Sequence, residues 1–129
     1  MTVLKLTVVL VGTSLVLAAC GGSGNSSSGG DCNVKGAGSG TAAATVTVIS
    51  DPVTVGAYAP KAVTINAGQS IGWDWQDQEA PHSVTADDGS FDSCLQNAGY
   101  KFLVTYTKSG TFTYHCTIHA QMTGTVSVT

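Results

Sequence analysis

Arginine is absent from this chain: its five basic side chains are all lysines. They form no patch in the sequence and the formal net charge is −3, so nucleic acid is not expected as a partner. Charged residues make up only 10 % of the sequence, and neither an amphipathic helical period nor an internal repeat is present. No Ser/His/Asp set and no paired carboxylates stand out, so the chain is expected not to be an enzyme. Histidine is scarce, occurring only as His82, His115 and His119.

What the chain does have is strand pattern. Its 129 residues leave room for one domain, rich in Val and Thr after residue 41. Thr45 to Ser50 alternates with period two and stops at Asp51-Pro52. Lys61 to Asn66 is a second strand, and Ser70 to Gln76 a third with Ile71, Trp73 and Trp75 on one face. His82 to Thr85 is short. Tyr100 to Thr107 and Thr111 to Cys116 flank Lys108-Ser109-Gly110 and read as a hairpin, and Gly124 to Thr129 closes the sheet. Seven short strands of this kind predict an all-β chain folded as an antiparallel β-sandwich.

The chemistry gathers in Tyr114-His115-Cys116-Thr117-Ile118-His119-Ala120-Gln121-Met122, where that strand pattern breaks. A thiolate, an imidazole and a thioether within seven residues suit a soft metal. A blue-copper site takes that set plus one more imidazole, which His82 can supply. Thioether is a poor zinc ligand, so copper is preferred over zinc. The plainer alternative is a buried strand cysteine beside an incidental His and Met. His115 is read as structural, because neighbouring strand residues point to opposite faces and Cys116 would face the metal.

At these residues the sequence resembles the plastocyanin-like cupredoxins, and the C-x2-H-x2-M spacing is most similar to the amicyanin branch. Val63 to Gly68, Pro81 to Asp92 and Met122 to Val126 extend the resemblance over about residues 45–129. It implies a Greek-key, cupredoxin-like β-sandwich with one type 1 copper ion and one-electron transfer. By position the ligands are His82, Cys116, His119 and, axially, Met122. The family usually has Asn at the place of Trp75, where it helps tie the first ligand strand to the Cys loop. The stretch from Asp77 to His82 is also about one residue longer than usual.

Residues 1–19 read as a signal peptide: Lys5 precedes an apolar run from Leu6 to Leu17, too short for a comfortable membrane span. Leu17-Ala18-Ala19-Cys20 resembles a bacterial lipobox, which implies cleavage before Cys20 and lipid on its thiol. An ordinary secretory peptide is the alternative. Residues 20–44, rich in Gly and Ser, are then expected to form a flexible tether, and residues 45–129 the cupredoxin domain. Cys32 and Cys94 are left as an expected disulfide in an exported protein, with two separate thiols or a second soft-metal site as alternatives. Asp74, Asp77, Glu79, Asp87, Asp88 and Asp92 surround His82 in sequence, either as solvated surface or as a docking face for a basic partner.

Taken together, these readings lead to an expected monomer, anchored by its N-terminal lipid to the extracytoplasmic or periplasmic side of a membrane. It would carry single electrons between a donor and an acceptor redox protein, such as a cytochrome or an oxidoreductase. A copper lipoprotein for storage or delivery is the alternative.

Overall fold

The computed structural model describes residues 31–129. Eight strands form the body: β1 (Ala44–Asp51), β2 (Val55–Ala59), β3 (Ala62–Ile65), β4 (Ser70–Trp75), β5 (Thr85–Ala86), β6 (Lys101–Thr105), β7 (Gly110–Cys116) and β8 (His119–Val128). They divide into two four-stranded sheets, ordered β2-β1-β4-β6 and β3-β8-β7-β5. The β-sandwich expected from the sequence is present. Its sheets are mixed, however, since β1 runs parallel to β4 and β3 parallel to β8. Among the described residues no helix is long and apolar enough to cross a membrane.

Alternation decides what lies between the sheets. From one side come Val46 and Val48 of β1, Ile71, Trp73 and Trp75 of β4, and Phe102 and Val104 of β6, all buried. From the other come Tyr114 and Cys116 of β7 with Met122, Val126 and Val128 of β8. Trp73 sits at the middle, its ring 5.3 Å from Tyr114 and 5.8 Å from Phe91 between centroids. A fully buried Trp in such a layer is worth about 3–5 kcal/mol against Ala. The Tyr114 ring also packs against β8 at Gly124, where a Cβ would stand 2.2 Å from its Cζ.

The expected hairpin of the sixth and seventh strands is not formed. β6 pairs with β4, whereas β7 pairs with β8 and β5, so the connection through Lys108 arches from one sheet to the other. Tyr106 and Phe112 consequently meet across the gap, with ring centroids 5.1 Å apart, rather than side by side.

The expected tether also needs correction where it is described. Lys35 and Asp92 exchange both backbone hydrogen bonds (2.8 and 3.0 Å), Gly38 N–H donates to Leu103 O, and Ala43 N–H donates to Ser70 O. The small residues here serve close approach. A Cβ on Gly36 would stand 2.7 Å from Phe91 Cβ, and one on Gly38 3.1 Å from Leu103 Cδ2. Cys32 is bonded to Cys94, so the fold reaches back at least that far. Cys20 and residues 1–30 lie outside the described residues.

The bridge closes a separation of 62 residues. Converting both Cys32 and Cys94 to Ser should lower the unfolding free energy by about 2–4 kcal/mol, read as a fall in Tm. An unchanged Tm would mean that the backbone bonds of Lys35 and Gly38 already hold the segment unaided.

Candidate metal centre

Three donor atoms converge at one end of the sandwich. Cys116 ends β7 and His119 opens β8, the two being register partners across a local irregularity in the β7–β8 ladder. That irregularity turns both side chains to one point. His82 arrives from the opposite direction, ahead of β5, with its backbone N–H and C=O both paired to Gln96 (3.0 and 2.9 Å). His82 and Cys116 are buried, while His119 is half-buried and alone reaches solvent.

The distances suit a metal. Nδ1 of His82 lies 3.0 Å from Nδ1 of His119, and Sγ of Cys116 lies 4.0 Å from the first and 3.5 Å from the second. The point equidistant from all three is about 2.1 Å from each, within the roughly 2.0–2.3 Å of metal–imidazole and metal–thiolate bonds. Met122, also buried, lines one small cavity with Gly56, the glycine packed on His82. Two imidazoles, a thiolate and a thioether are the donor set of type 1 copper.

Burial would push the Cys116 thiol up. Hydrogen bonding from His82, from the Ser83 and Ile118 amides and from His119 outweighs it and brings the thiol down to about 6. The sulfur is therefore largely thiolate near neutrality, the form that binds metal.

Four supporting residues were not legible as such in the sequence. The Asp77 carboxylate accepts a 2.6 Å bond from Nε2 of His82, and both side chains are fully buried. Burial alone would raise that carboxyl group, but the bonds from His82 and from the Glu79 and Ala80 amides hold it below the usual carboxylate range. Ser83 ties the two ligand loops together. Its amide donates to Cys116 Sγ (3.4 Å), and its hydroxyl accepts from the Thr117 amide (3.0 Å). The tie looked for at position 75 is thus made by Ser83 and Thr117. Trp75 anchors His82 in another way, its indole N–H donating to the His82 carbonyl at 2.9 Å. Gly56 on β2 faces the His82 ring so closely that a Cβ there would stand 2.1 Å from Cε1. Only a proximity signal across the fold could have revealed any of these.

His115 faces away from the donors and bonds Asp87 through Nδ1. The acidic residues near His82 are dispersed among separate tasks. Asp74 pairs with Lys101, Asp87 binds Thr113 and His115, and Asp92 caps the Cys94 amide.

The profile of copper-binding proteins of the plastocyanin/azurin family matches residues 44–129, two thirds of the chain and all eight strands. The chain belongs to that family. Among curated sequences there is no significant match. Similar solved structures include a purple cupredoxin from Nitrosopumilus maritimus, 26 % identical at a TM-score of 0.55, covering 64 % of this chain and 98 % of that one. A mutant fern plastocyanin is 25 % identical at 0.55, covering 66 % and 99 %. An amicyanin variant, at 21 % identity and a TM-score of 0.54, covers 65 % and 81 % and shares the fold. As a cupredoxin the chain binds copper, with His82, Cys116, His119 and Met122 forming the type 1-like site. Membership of the family implies electron transfer at that site.

Proposed function

We propose that this cupredoxin is a membrane-tethered carrier of single electrons between two redox proteins, and not an enzyme. The observation that carries this reading is the closure of the site. Four donors fill it, three of them buried, and only His119 meets solvent. Bound copper supplies a one-electron couple; four protein donors leave no position for a substrate.

The surface around His119 suits brief encounters. Ile118 beside it is half-exposed, and Val53 in the β1–β2 turn and Val55 at the start of β2 stand out just ahead of Gly56. That loop is built to hold its shape. Asp51 accepts from the amides of Val53 and Thr54 at 2.8 Å, and Val55 takes a left-handed φ of 70°, rare for a β-branched residue. Exposed apolar side chains beside His119 and just ahead of Gly56 support docking of a partner without charge pairing. The lipobox-like Leu17 to Cys20 supports anchoring on the extracytoplasmic side.

The test separates carrier from copper-handling protein. A carrier keeps copper through repeated reduction in the presence of a Cu(I) chelator and exchanges electrons quickly with small redox partners. Met122→Leu should raise its potential and leave the colour largely intact, since a weak axial donor favouring Cu(II) is removed. Prompt loss of Cu(I) to the chelator would replace the carrier by the storage or delivery reading. For the tether, Cys20→Ser should release the protein from membranes; a membrane-bound, fully processed variant would exclude acylation at Cys20.

A further inference from the structure

We propose that Asp77 is a positioning residue that fixes the His82 ring for the metal and biases the centre toward its oxidised state. The inference rests on the copper site and not on the choice of redox partner.

Geometry gives the first half. Asp77 Oδ2 takes the Nε2 proton of His82 at 2.6 Å, in full burial on both sides. A neutral imidazole has one N–H, so this bond leaves the lone pair on Nδ1, the atom that faces Cys116 and His119. Asp77 is itself fixed. Its Oδ1 accepts from the amides of Glu79 (2.8 Å) and Ala80 (3.4 Å), and its own amide donates to Val48 O on β1. The ring is thus set in orientation before metal arrives, and in tautomer whenever it is neutral, which is how outer carboxylates act on metal-bound histidines in general.

Charge gives the second half. The only cationic partner within ion-pair distance of Asp77 among the described residues would be His82 itself, which is neutral when it ligates. The pocket then holds two fixed negative charges, the Cys116 thiolate and the Asp77 carboxylate. Against a divalent ion they sum to zero; against a monovalent ion they leave one negative charge in a buried place. Without Asp77 the sums are +1 and zero. An uncompensated charge is costly in low dielectric, so the carboxylate favours the oxidised ion.

Two variants and the metal-free protein test the proposal. Asp77→Asn keeps an oxygen to accept from Nε2–H but removes the charge. It should stay folded and coloured, with the Cu(I)/Cu(II) partition moved at least tenfold toward Cu(I), or 59 mV upward for a one-electron couple. Asp77→Ala should leave Nε2–H without a partner. In the copper-free protein, at a pH where the His82 ring is neutral, 15N NMR should then show mixed tautomers where the wild type shows Nε2–H alone, and copper should leave the loaded variant at least tenfold faster. A folded, coloured Asp77→Asn protein with an unshifted potential would overturn the charge effect. A single Nε2–H tautomer in copper-free Asp77→Ala would overturn the positioning role. Failure of the copper reading looks different, because the wild type itself would then bind no copper.

Discussion

Cys116→Ser should strip the protein of its intense visible absorption while leaving the fold standing. The band arises from charge transfer out of the copper-bound thiolate, and a serine hydroxyl has neither the soft sulfur nor an anionic form at neutral pH. Copper affinity should fall by more than the roughly 10–100-fold typical of losing a residue that merely supports a ligand. Cys116 is one of a large buried layer, so a near-isosteric change should cost only about 1–3 kcal/mol, chiefly for burying a hydroxyl. The absorption spectrum of the copper-loaded variant, beside its circular dichroism, checks both halves. An intense visible band in the serine protein would remove Cys116 from the ligand set.

Gly56→Ala should be nearly as damaging, although Gly56 touches no metal. The added methyl would sit 2.1 Å from Cε1 of His82 and 2.7 Å from its Nδ1. Neither partner has room to move. The ring is held through Nε2 by Asp77, its backbone through Gln96, and its carbonyl by the Trp75 indole. Overpacking at such a place costs about 1–3 kcal/mol, and here relief comes only by pushing His82 off its position. Calorimetry of the copper-free protein should therefore show a lower Tm, and copper titration a much weaker or miscoloured site. Wild-type spectrum and affinity in the alanine variant would show that β2 can yield at this point.

The ligand set was legible because its residue types are rare in the chain. With three histidines in all, a Cys, His and Met at a strand break leave few ways to build a site, and His82 was the one imidazole to spare. The strand faces were legible for a similar reason. Ile71, Trp73 and Trp75 alternate with Gly72 and Asp74 in a way that only a half-buried strand explains.

Pairing was a different matter. β6 and β7 carry the same alternation whether they lie side by side or face each other across the core, so a turn signal at Lys108 to Gly110 could not separate hairpin from arch. β2 escaped notice because it is short, with Gly56 inside it and Pro60 directly after it, although Gly56 is there to make room for His82. The stretch Gly36 to Ala44 looked like linker by composition, yet its missing side chains are what let it lie against Phe91 and Leu103. Asp77 and Ser83 stood in the sequence as one acid among six and a plain serine. Their tasks exist only once distant loops meet.

That meeting has a kinetic side. β3 pairs with β8, and the donors are split between a loop before β5 and the β7–β8 junction, with the cradle glycine further back on β2. Contacts of such sequence separation demand large loop closures before any reward, and chains built on them fold in milliseconds to seconds rather than microseconds. No early, local fragment contains His82, Cys116 and Gly56 together. The copper pocket is therefore a late product of folding, complete only when both ends of the domain have found each other.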